Sequence, residues 1–139
     1  MRRTVRPFQQ RIEKPWGYEL LLTPPDSPVA GKILFLKAGC RWSLQYHDQK
    51  EETLVLLTGK AKIILADQEY TLEPRKGYLI RARQKHRCRA ISDCEIIEVS
   101  TPEKGKTVRL EDDYGRGDET EEMRQLPNHG WQKEAAHDQ

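Results

Sequence analysis

The sequence predicts a single all-β domain, a sandwich or barrel. Short runs of β-branched, aromatic and aliphatic residues follow one another from Trp16 to about Ser100, and turn residues separate them. No helical stripe of useful length interrupts these runs. With 139 residues, the chain is long enough for one hydrophobic core and too short for two ordinary domains.

Nine strands are expected, and turn residues lie between most of them. The cluster Pro24-Pro25-Asp26-Ser27-Pro28 predicts a loop, because proline cannot donate a hydrogen bond to a central strand ladder. Thr58-Gly59 predicts a tight turn, and Ala66-Asp67 predicts a hairpin connection whose type is undefined because it holds no glycine. The expected strands cover residues 18–22, 32–37, 41–47, 53–58, 61–66, 69–72, 77–80, 86–90 and 96–100.

The composition argues against several classes of protein. Hydrophobic residues make up 36% of the chain, and no apolar run approaches the ~20 residues that a membrane-spanning helix needs. The first residues are basic but precede no apolar stretch, so we expect no secretory signal peptide and a cytoplasmic location. The net charge of +2 predicts no strong attraction to nucleic acid.

Three cysteines are expected to be reduced thiols. Cys40, Cys88 and Cys94 are an odd set without CxxC spacing, which argues against a disulfide framework and against a structural zinc site. Cys88 shares strand parity with His86 and is therefore expected inside the barrel. Buried cysteines are more often small core residues than reactive ones, so we assign Cys88 no catalytic role.

The segment between Gly39 and Gly59 carries the strongest functional pattern. Residues i and i+2 of a strand point to the same face, so Gln45 and His47 project together, and Glu52 returns on the next strand after a turn. This arrangement places three metal ligands on one wall of a small barrel. The expected fourth ligand is His86, because the other histidines, His129 and His137, lie in a polar C-terminal stretch.

Each of these residues also has an ordinary explanation. A lone glutamine is often satisfied by backbone groups, and a lone histidine often caps a core. Together, however, Ser43, Gln45 and His47 would be buried on one face of a strand without partners, which is costly. A metal ion or a water-filled pocket resolves that cost. Amide, imidazole and carboxylate ligands suit one divalent Mn, Fe, Ni, Co or Zn ion and do not select among them.

The same segment resembles the first motif of the cupins. The spacing Gly39-x5-Gln45-x-His47-x4-Glu52-x6-Gly59 follows that motif, with glutamine in place of the usual first histidine. More specifically, the chain is similar to the cupin domain of type II mannose-6-phosphate isomerases over roughly residues 13–116. The matching segments are Glu13-Lys14-Pro15-Trp16-Gly17-Tyr18-Glu19, Lys32, Ser43–His47, Glu52, Ile97-Glu98-Val99 and Glu111-Asp112-Asp113-Tyr114-Gly115-Arg116.

That resemblance implies a single-domain cupin, which is a double-stranded β-helix or jelly roll and often a homodimer. It divides the chain into an N-terminal arm (1–12), a cupin domain (13–116) and a polar, partly mobile tail (117–139). It implies a divalent metal held by Gln45, His47, Glu52 and His86. In that family the ligand set supports aldose–ketose isomerisation of a sugar phosphate, in which the ion polarises a carbonyl and stabilises an enediolate.

The second motif departs from the cupin pattern. Cupins commonly carry Pro-x-Gly-x-x-His, whereas this chain has Arg81-Ala82-Arg83-Gln84-Lys85-His86. His86 is therefore the ligand with the least support from the sequence. Lys32, Arg41 and Arg116 are the expected contacts to a small, anionic substrate. The sequence names no general base, since both barrel histidines are assigned to the metal and Glu51 is expected to face away from Glu52.

Three functions therefore stay open at this stage. The first is a metal-dependent isomerase or epimerase acting on a phosphorylated or nucleotide-linked sugar. The second is an iron-dependent dioxygenase, because an open coordination sphere can also bind oxygen and a bidentate substrate. The third is a non-catalytic module that binds a small anion or a sugar, which the missing base and the cationic stretch around residues 81–89 both permit.

Overall fold

Two antiparallel sheets face each other in the computed structural model, which describes residues 5–132. One sheet has six strands in the order β1-β2-β3-β10-β5-β8, and the other has five in the order β11-β4-β9-β6-β7. The strands are β1 (Gln10–Lys14), β2 (Gly17–Leu21), β3 (Ala30–Leu36), β4 (Leu44–His47), β5 (Glu52–Thr58), β6 (Ala61–Leu65), β7 (Gln68–Thr71), β8 (Gly77–Ile80), β9 (His86–Ala90), β10 (Cys94–Ser100) and β11 (Thr107–Glu111). The all-β prediction is confirmed.

The core lies between the sheets and follows from strand alternation. On β3, β5 and β10 every second residue is buried, and these residues point into the barrel. Trp16 and Trp42 close one part of the core with their ring centroids 5.6 Å apart. The fully buried aliphatic side chains are Leu36, Leu54, Leu56, Ile63, Ile80 and Ile96. Apolar residues thus fill one end of the barrel interior, which leaves the inward positions of the other end to polar residues.

Two strands, β1 and β11, were not expected from the sequence. β1 begins at Gln10, inside the predicted N-terminal arm, and β11 lies beyond the last expected strand. β1 buries Ile12 and Lys14, and the buried lysine pairs with carboxylates. One of the two buried residues of β1 is therefore charged, and the sequence does not show the alternation of apolar and polar residues that predicts a strand. The expected strand 41–47 is also shorter and begins at Leu44.

The Ala66-Asp67 connection is a two-residue hairpin loop. Leu65 pairs with Gln68, and both loop residues have positive φ angles, 53° for Ala66 and 63° for Asp67. Positive φ at both central positions is the geometry of a type I′ turn, which matches the twist of the flanking strands. The sequence left this turn type open because neither residue is glycine.

The outer face of the six-stranded sheet is apolar, unlike the outer face of most two-layer folds. Strand register places Leu20 opposite Ile33, Ile33 opposite Ile97 and Ile97 opposite Val55. Leu57, Leu79 and Val99 extend this row and are 37–50% exposed. We call this surface, made of Leu20, Ile33, Phe35, Val55, Leu57, Leu79, Ile97 and Val99, the outer apolar face.

Residues after β11 form a C-terminal segment (117–132) that packs on the barrel. It contains two 3-10 turns, Met123–Gln125 and Pro127–Gly130. Glu119 forms an isolated bridge with Thr107, and the Asn128 side chain accepts a hydrogen bond from the Glu13 backbone. Within residues 5–132, no helix has the length and hydropathy to span a bilayer.

Gly59 is expected to be far less replaceable than Gly39, although both have positive φ angles of about 80°. A Cβ at Gly59 would lie 2.1 Å from the Asp93 carbonyl oxygen, whereas a Cβ at Gly39 would meet nothing within 4 Å. Gly39→Ala should therefore cost only the left-handed backbone strain, about 1–2 kcal/mol. Gly59→Ala should cost clearly more. Urea denaturation of both variants measures this difference, and equal losses of unfolding free energy would contradict the steric explanation.

Candidate metal centre

Three strands bring the predicted ligands together. Gln45 and His47 lie on β4, Glu52 begins β5, and His86 begins β9. Gln45 pairs directly with His86 across β4 and β9, so these two side chains share a face of the five-stranded sheet. Glu52 comes from the opposite sheet. The candidate ligands therefore converge inside the barrel from both walls.

His47 and His86 both point at one oxygen of Glu52. The Glu52 Oε1 atom lies 3.2 Å from His47 Nε2 and 3.0 Å from His86 Nε2. One ligand atom from each of these residues lies within 4.8 Å of the others. His47, Glu52 and His86 are 5%, 3% and 0% exposed. Such a compact, buried set of nitrogen and oxygen atoms is the geometry that a transition metal ion requires.

The hydrogen bonds around the imidazoles fit a cation between them. His86 Nδ1 lies 3.0 Å from the Gln84 carbonyl oxygen, which can only accept, so Nδ1 carries the proton and Nε2 offers a lone pair. Within residues 5–132, His86 Nε2 and Glu52 Oε2 are buried polar atoms without a hydrogen-bond partner. A lone pair facing a carboxylate is unfavourable unless a positive ion lies between them. The residues present therefore fit a divalent metal.

Electrostatics keeps both kinds of ligand in the form that binds metal. Burial, with the nearby Lys50 ammonium, lowers the pKa of His47 to about 4, so its imidazole is neutral. Burial alone would raise the pKa of Glu52, but the Lys50 ammonium and the hydrogen bond with His47 outweigh it and hold that pKa well below its ordinary value. Thr107 Oγ1 lies 2.9 Å from His47 Nδ1 and orients the ring.

Gln45 and Lys32, two further predicted site residues, line the same cavity. The Gln45 amide oxygen accepts a hydrogen bond of 2.6 Å from Ser43, which fixes the amide and leaves its second lone pair. Lys32 is 6% exposed and contacts three carboxylates. Lys32 is therefore a buried part of the cavity wall.

The two predicted arginines have different positions. Arg116 lines the cavity and forms a two-point hydrogen-bonded ion pair with Asp112. Arg41 lies on the surface, where it makes hydrogen bonds of 2.7 and 2.8 Å to Asp113. The structure does not bring Arg41 to the cavity, because its guanidinium is held at the surface by Asp113.

The cavity around the candidate metal centre is small and electrically balanced. Its volume is about 50 Å³. The charged side chains that line it are Lys14, Lys32, Lys50, Arg109 and Arg116, with Glu19, Glu52, Glu98, Glu103 and Glu119. Five cations thus meet five carboxylates. These formal charges cancel only when every one of the five carboxyl groups is ionised.

Sequence reasoning gave no role to three acid–base residues of the cavity, Lys50, Glu98 and Glu103. Lys50 Nζ lies 3.6 Å from Glu52, 3.2 Å from Glu98 and 2.9 Å from Glu103. Burial and the Glu52 carboxylate raise the pKa of Glu98 to about 8, although Lys50 and Lys32 oppose that shift. Glu98 has the inward parity of Ile96 on β10, which was a usable signal. Lys50 and Glu103 lie outside strands and had none.

The sequence placed two histidines, His129 and His137, in a polar C-terminal stretch, and the structure describes only the first of them. His129 is packed against the barrel, where its Nδ1 lies 3.0 Å from Glu119 and 3.3 Å from Lys14. It is not part of the group formed by His47, Glu52 and His86. His137 lies outside the described residues.

Comparisons with known proteins agree with this architecture. Residues 33–100 match the family model described as "Cupin domain". The fold is similar to that of KdgF from Halomonas sp., with a TM-score of 0.60 and 16% sequence identity over 70% of this chain and 89% of KdgF. It is also similar to CapF from Staphylococcus aureus, a capsular polysaccharide assembling protein, with a TM-score of 0.61 and 13% identity.

That match covers 79% of this chain but only 31% of CapF, so the chain spans less than a third of that protein. A third similar structure, oxalate decarboxylase, gives a TM-score of 0.60 and 17% identity over 68% of this chain and 27% of the decarboxylase. No curated protein sequence matches the chain. At these identities the structural likeness shows the fold. Together with the match of residues 33–100 to the cupin family model, it shows an all-β jelly-roll fold like that of the cupins.

Proposed function

We propose that this protein is a metal-dependent isomerase or epimerase that acts on a phosphorylated or nucleotide-linked sugar. The observation that carries the proposal is the convergence of His47 and His86 on Glu52 in a buried cavity, where His86 Nε2 and Glu52 Oε2 lack hydrogen-bond partners within residues 5–132. These three residues would hold the ion, and Gln45 would supply the fourth ligand. A divalent ion bound there would act as a Lewis acid toward a sugar carbonyl or hydroxyl oxygen.

Acid–base groups beside the ligands support proton-transfer chemistry. Isomerisation moves a proton between neighbouring carbons, so the site needs a side chain that takes a proton and returns it. Lys50 and Glu98 lie 3.2 Å apart inside the cavity, and Lys50 also contacts Glu52. They are the candidates for the base that the sequence left unnamed.

The choice of a sugar phosphate rests on the resemblance in sequence. The first cupin motif and the segments around residues 13–19 and 111–116 are similar to type II mannose-6-phosphate isomerases. CapF, a capsular polysaccharide assembling protein, shares the fold and agrees with a carbohydrate substrate. The metal itself is a divalent Mn, Fe, Ni, Co or Zn ion. The cytoplasmic location and the lack of a nucleic-acid partner stay predictions from the sequence.

Metal-loaded protein should catalyse the incorporation of solvent deuterium into a sugar phosphate. Incubation with aldose and ketose phosphates in deuterium oxide, followed by NMR, should show deuterium on the carbon next to the carbonyl. Glu52→Gln should abolish the exchange, because the variant loses the charged ligand. Glu73→Gln removes an exposed carboxylate that pairs with Lys76; this matched control should exchange at the normal rate.

Full metal occupancy without any deuterium incorporation would contradict the isomerase proposal. Oxygen consumption by the ferrous protein with a candidate diol or thiol would instead support the dioxygenase alternative. Sugar-phosphate binding without turnover would support the non-catalytic alternative.

We also propose that the protein is a homodimer that forms through the outer apolar face. With strands about 4.8 Å apart and about 3.3 Å per residue, the five strands that carry this face, each of four to seven residues, cover roughly 500 Å² of flat area. Because protruding side chains add accessible surface to this flat area, the face approaches the ~800 Å² that each partner buries in a standard interface. The centre of the face carries no charge, so a two-fold axis that places it against itself brings no like charges together.

Ile97→Lys should convert the dimer to a monomer, because it places a charge at the centre of the outer apolar face. The matched control is Ile64→Lys on the other sheet, where Ile64 lies between Arg87 and Glu69 and already faces polar neighbours. Sedimentation velocity over a range of protein concentrations measures the change. A wild-type monomer throughout that range, or dissociation by both variants alike, would contradict the proposed interface.

A further inference from the structure

One carboxylate, Glu103, is the point where three cations converge, two from the cavity and one from its neighbouring groove. Lys32 and Lys50 both donate hydrogen bonds to Glu103 Oε1, the second at 2.9 Å. Arg124 Nε lies 3.7 Å from Glu103 Oε2. Both lysines are more than nine-tenths buried, whereas the Glu103 side chain is 25% exposed. The cations are therefore fixed inside the protein, and the anion they share reaches toward solvent.

Glu103 also lies at the junction of two cavities. Glu103 and Lys32 line the cavity of about 50 Å³ around the candidate metal centre. The same two residues line an outer groove of about 940 Å³ between the 22–31 loop and the C-terminal segment. A cavity of about 50 Å³ admits one or two water molecules and not a sugar ring, whereas small-molecule sites usually measure ~300–1,000 Å³. A sugar ligand must therefore place its bulk in the groove.

The ion pairs around Glu103 permit an exchange of anions. Besides Glu103, Lys32 Nζ contacts two other carboxylates, Glu19 at 3.4 Å and Glu98 at 3.9 Å. Lys50 likewise keeps Glu98 at 3.2 Å. Glu103 lies in the connection between β10 and β11, outside the strand ladders, whereas Lys32 belongs to β3. Movement of Glu103 would thus leave both lysines partly neutralised and would create one uncompensated positive charge.

We propose that Lys32, Lys50 and Arg124 form an anion subsite for which the Glu103 carboxylate and a ligand phosphate compete. A phosphate monoester presents three acceptor oxygens to these three donors. Its negative charge would replace the charge of the displaced Glu103 carboxylate. The choice of a phosphate rests on the proposed sugar-phosphate function. In the absence of ligand, the Glu103 carboxylate occupies the position of the substrate anion. Its displacement opens the groove toward the metal centre. Arg124 and Lys50 join the predicted Lys32 as binding residues.

Titration calorimetry with inorganic phosphate tests the subsite without requiring turnover. Glu103→Gln keeps the shape of the side chain and removes its charge, so it should bind phosphate roughly tenfold more tightly than the wild type. Adding Lys32→Met or Arg124→Met to that variant should reverse the gain. Glu73→Gln, which removes an exposed carboxylate away from the cavity, should leave phosphate affinity unchanged.

Two outcomes would overturn the subsite. One is equal phosphate affinity in the wild type and in folded Glu103→Gln, with folding checked by urea denaturation. The other is a gain in affinity that persists after Arg124→Met, a change that leaves both lysines in place. Because the titration measures neither metal nor turnover, its failure would leave the deuterium-exchange result unaffected. A failed deuterium exchange would likewise leave phosphate binding intact.

Discussion

The polar end of this barrel depends on how the buried Glu52 carboxylate is neutralised. Glu52 lies 3.0 Å from His86 Nε2 and 3.2 Å from His47 Nε2, and it receives only a longer contact of 3.6 Å from Lys50. An ionised carboxylate in such a place is costly unless it is paired or bound to a metal. Lys50 supplies part of the charge, and a divalent ion between the two imidazoles would supply the rest. Lys50 in turn contacts Glu98 and Glu103, and both of these carboxylates contact Lys32.

That requirement explains why so many charged residues lie inside a small domain. Lys50 cannot be buried beside Glu52 alone, so Glu98 and Glu103 accept from it. Those carboxylates in turn need Lys32, which also contacts Glu19. A buried ion-pair network of this kind contributes little net stability, because desolvation offsets most of the attraction. The network instead fixes the positions of the acid–base groups and of the exchangeable anion Glu103 between the candidate metal centre and the outer groove.

The sequence predicted the strands in which apolar and polar residues alternate. It did not predict the positions where a charged residue replaces an apolar one inside the barrel. β5 and β10 were expected because Leu54, Leu56 and Ile96 follow period two, and Gln45, His47 and Glu52 follow from the same rule. β1 was missed because its inward Lys14 is buried by distant carboxylates that no local pattern reveals. Glu103 was missed for the same reason, as its partners lie 71 and 53 residues away.

The central claim, that this buried group is a metal centre, is tested most directly by metal stoichiometry. Elemental analysis after dialysis against a divalent ion should find about one ion per wild-type chain and almost none in His86→Ala, because one of the ligands is lost. His129→Ala is the matched control, since His129 is a packed histidine outside the ligand group, and it should retain the ion. Equal metal content in the wild type and in folded His86→Ala would contradict the account.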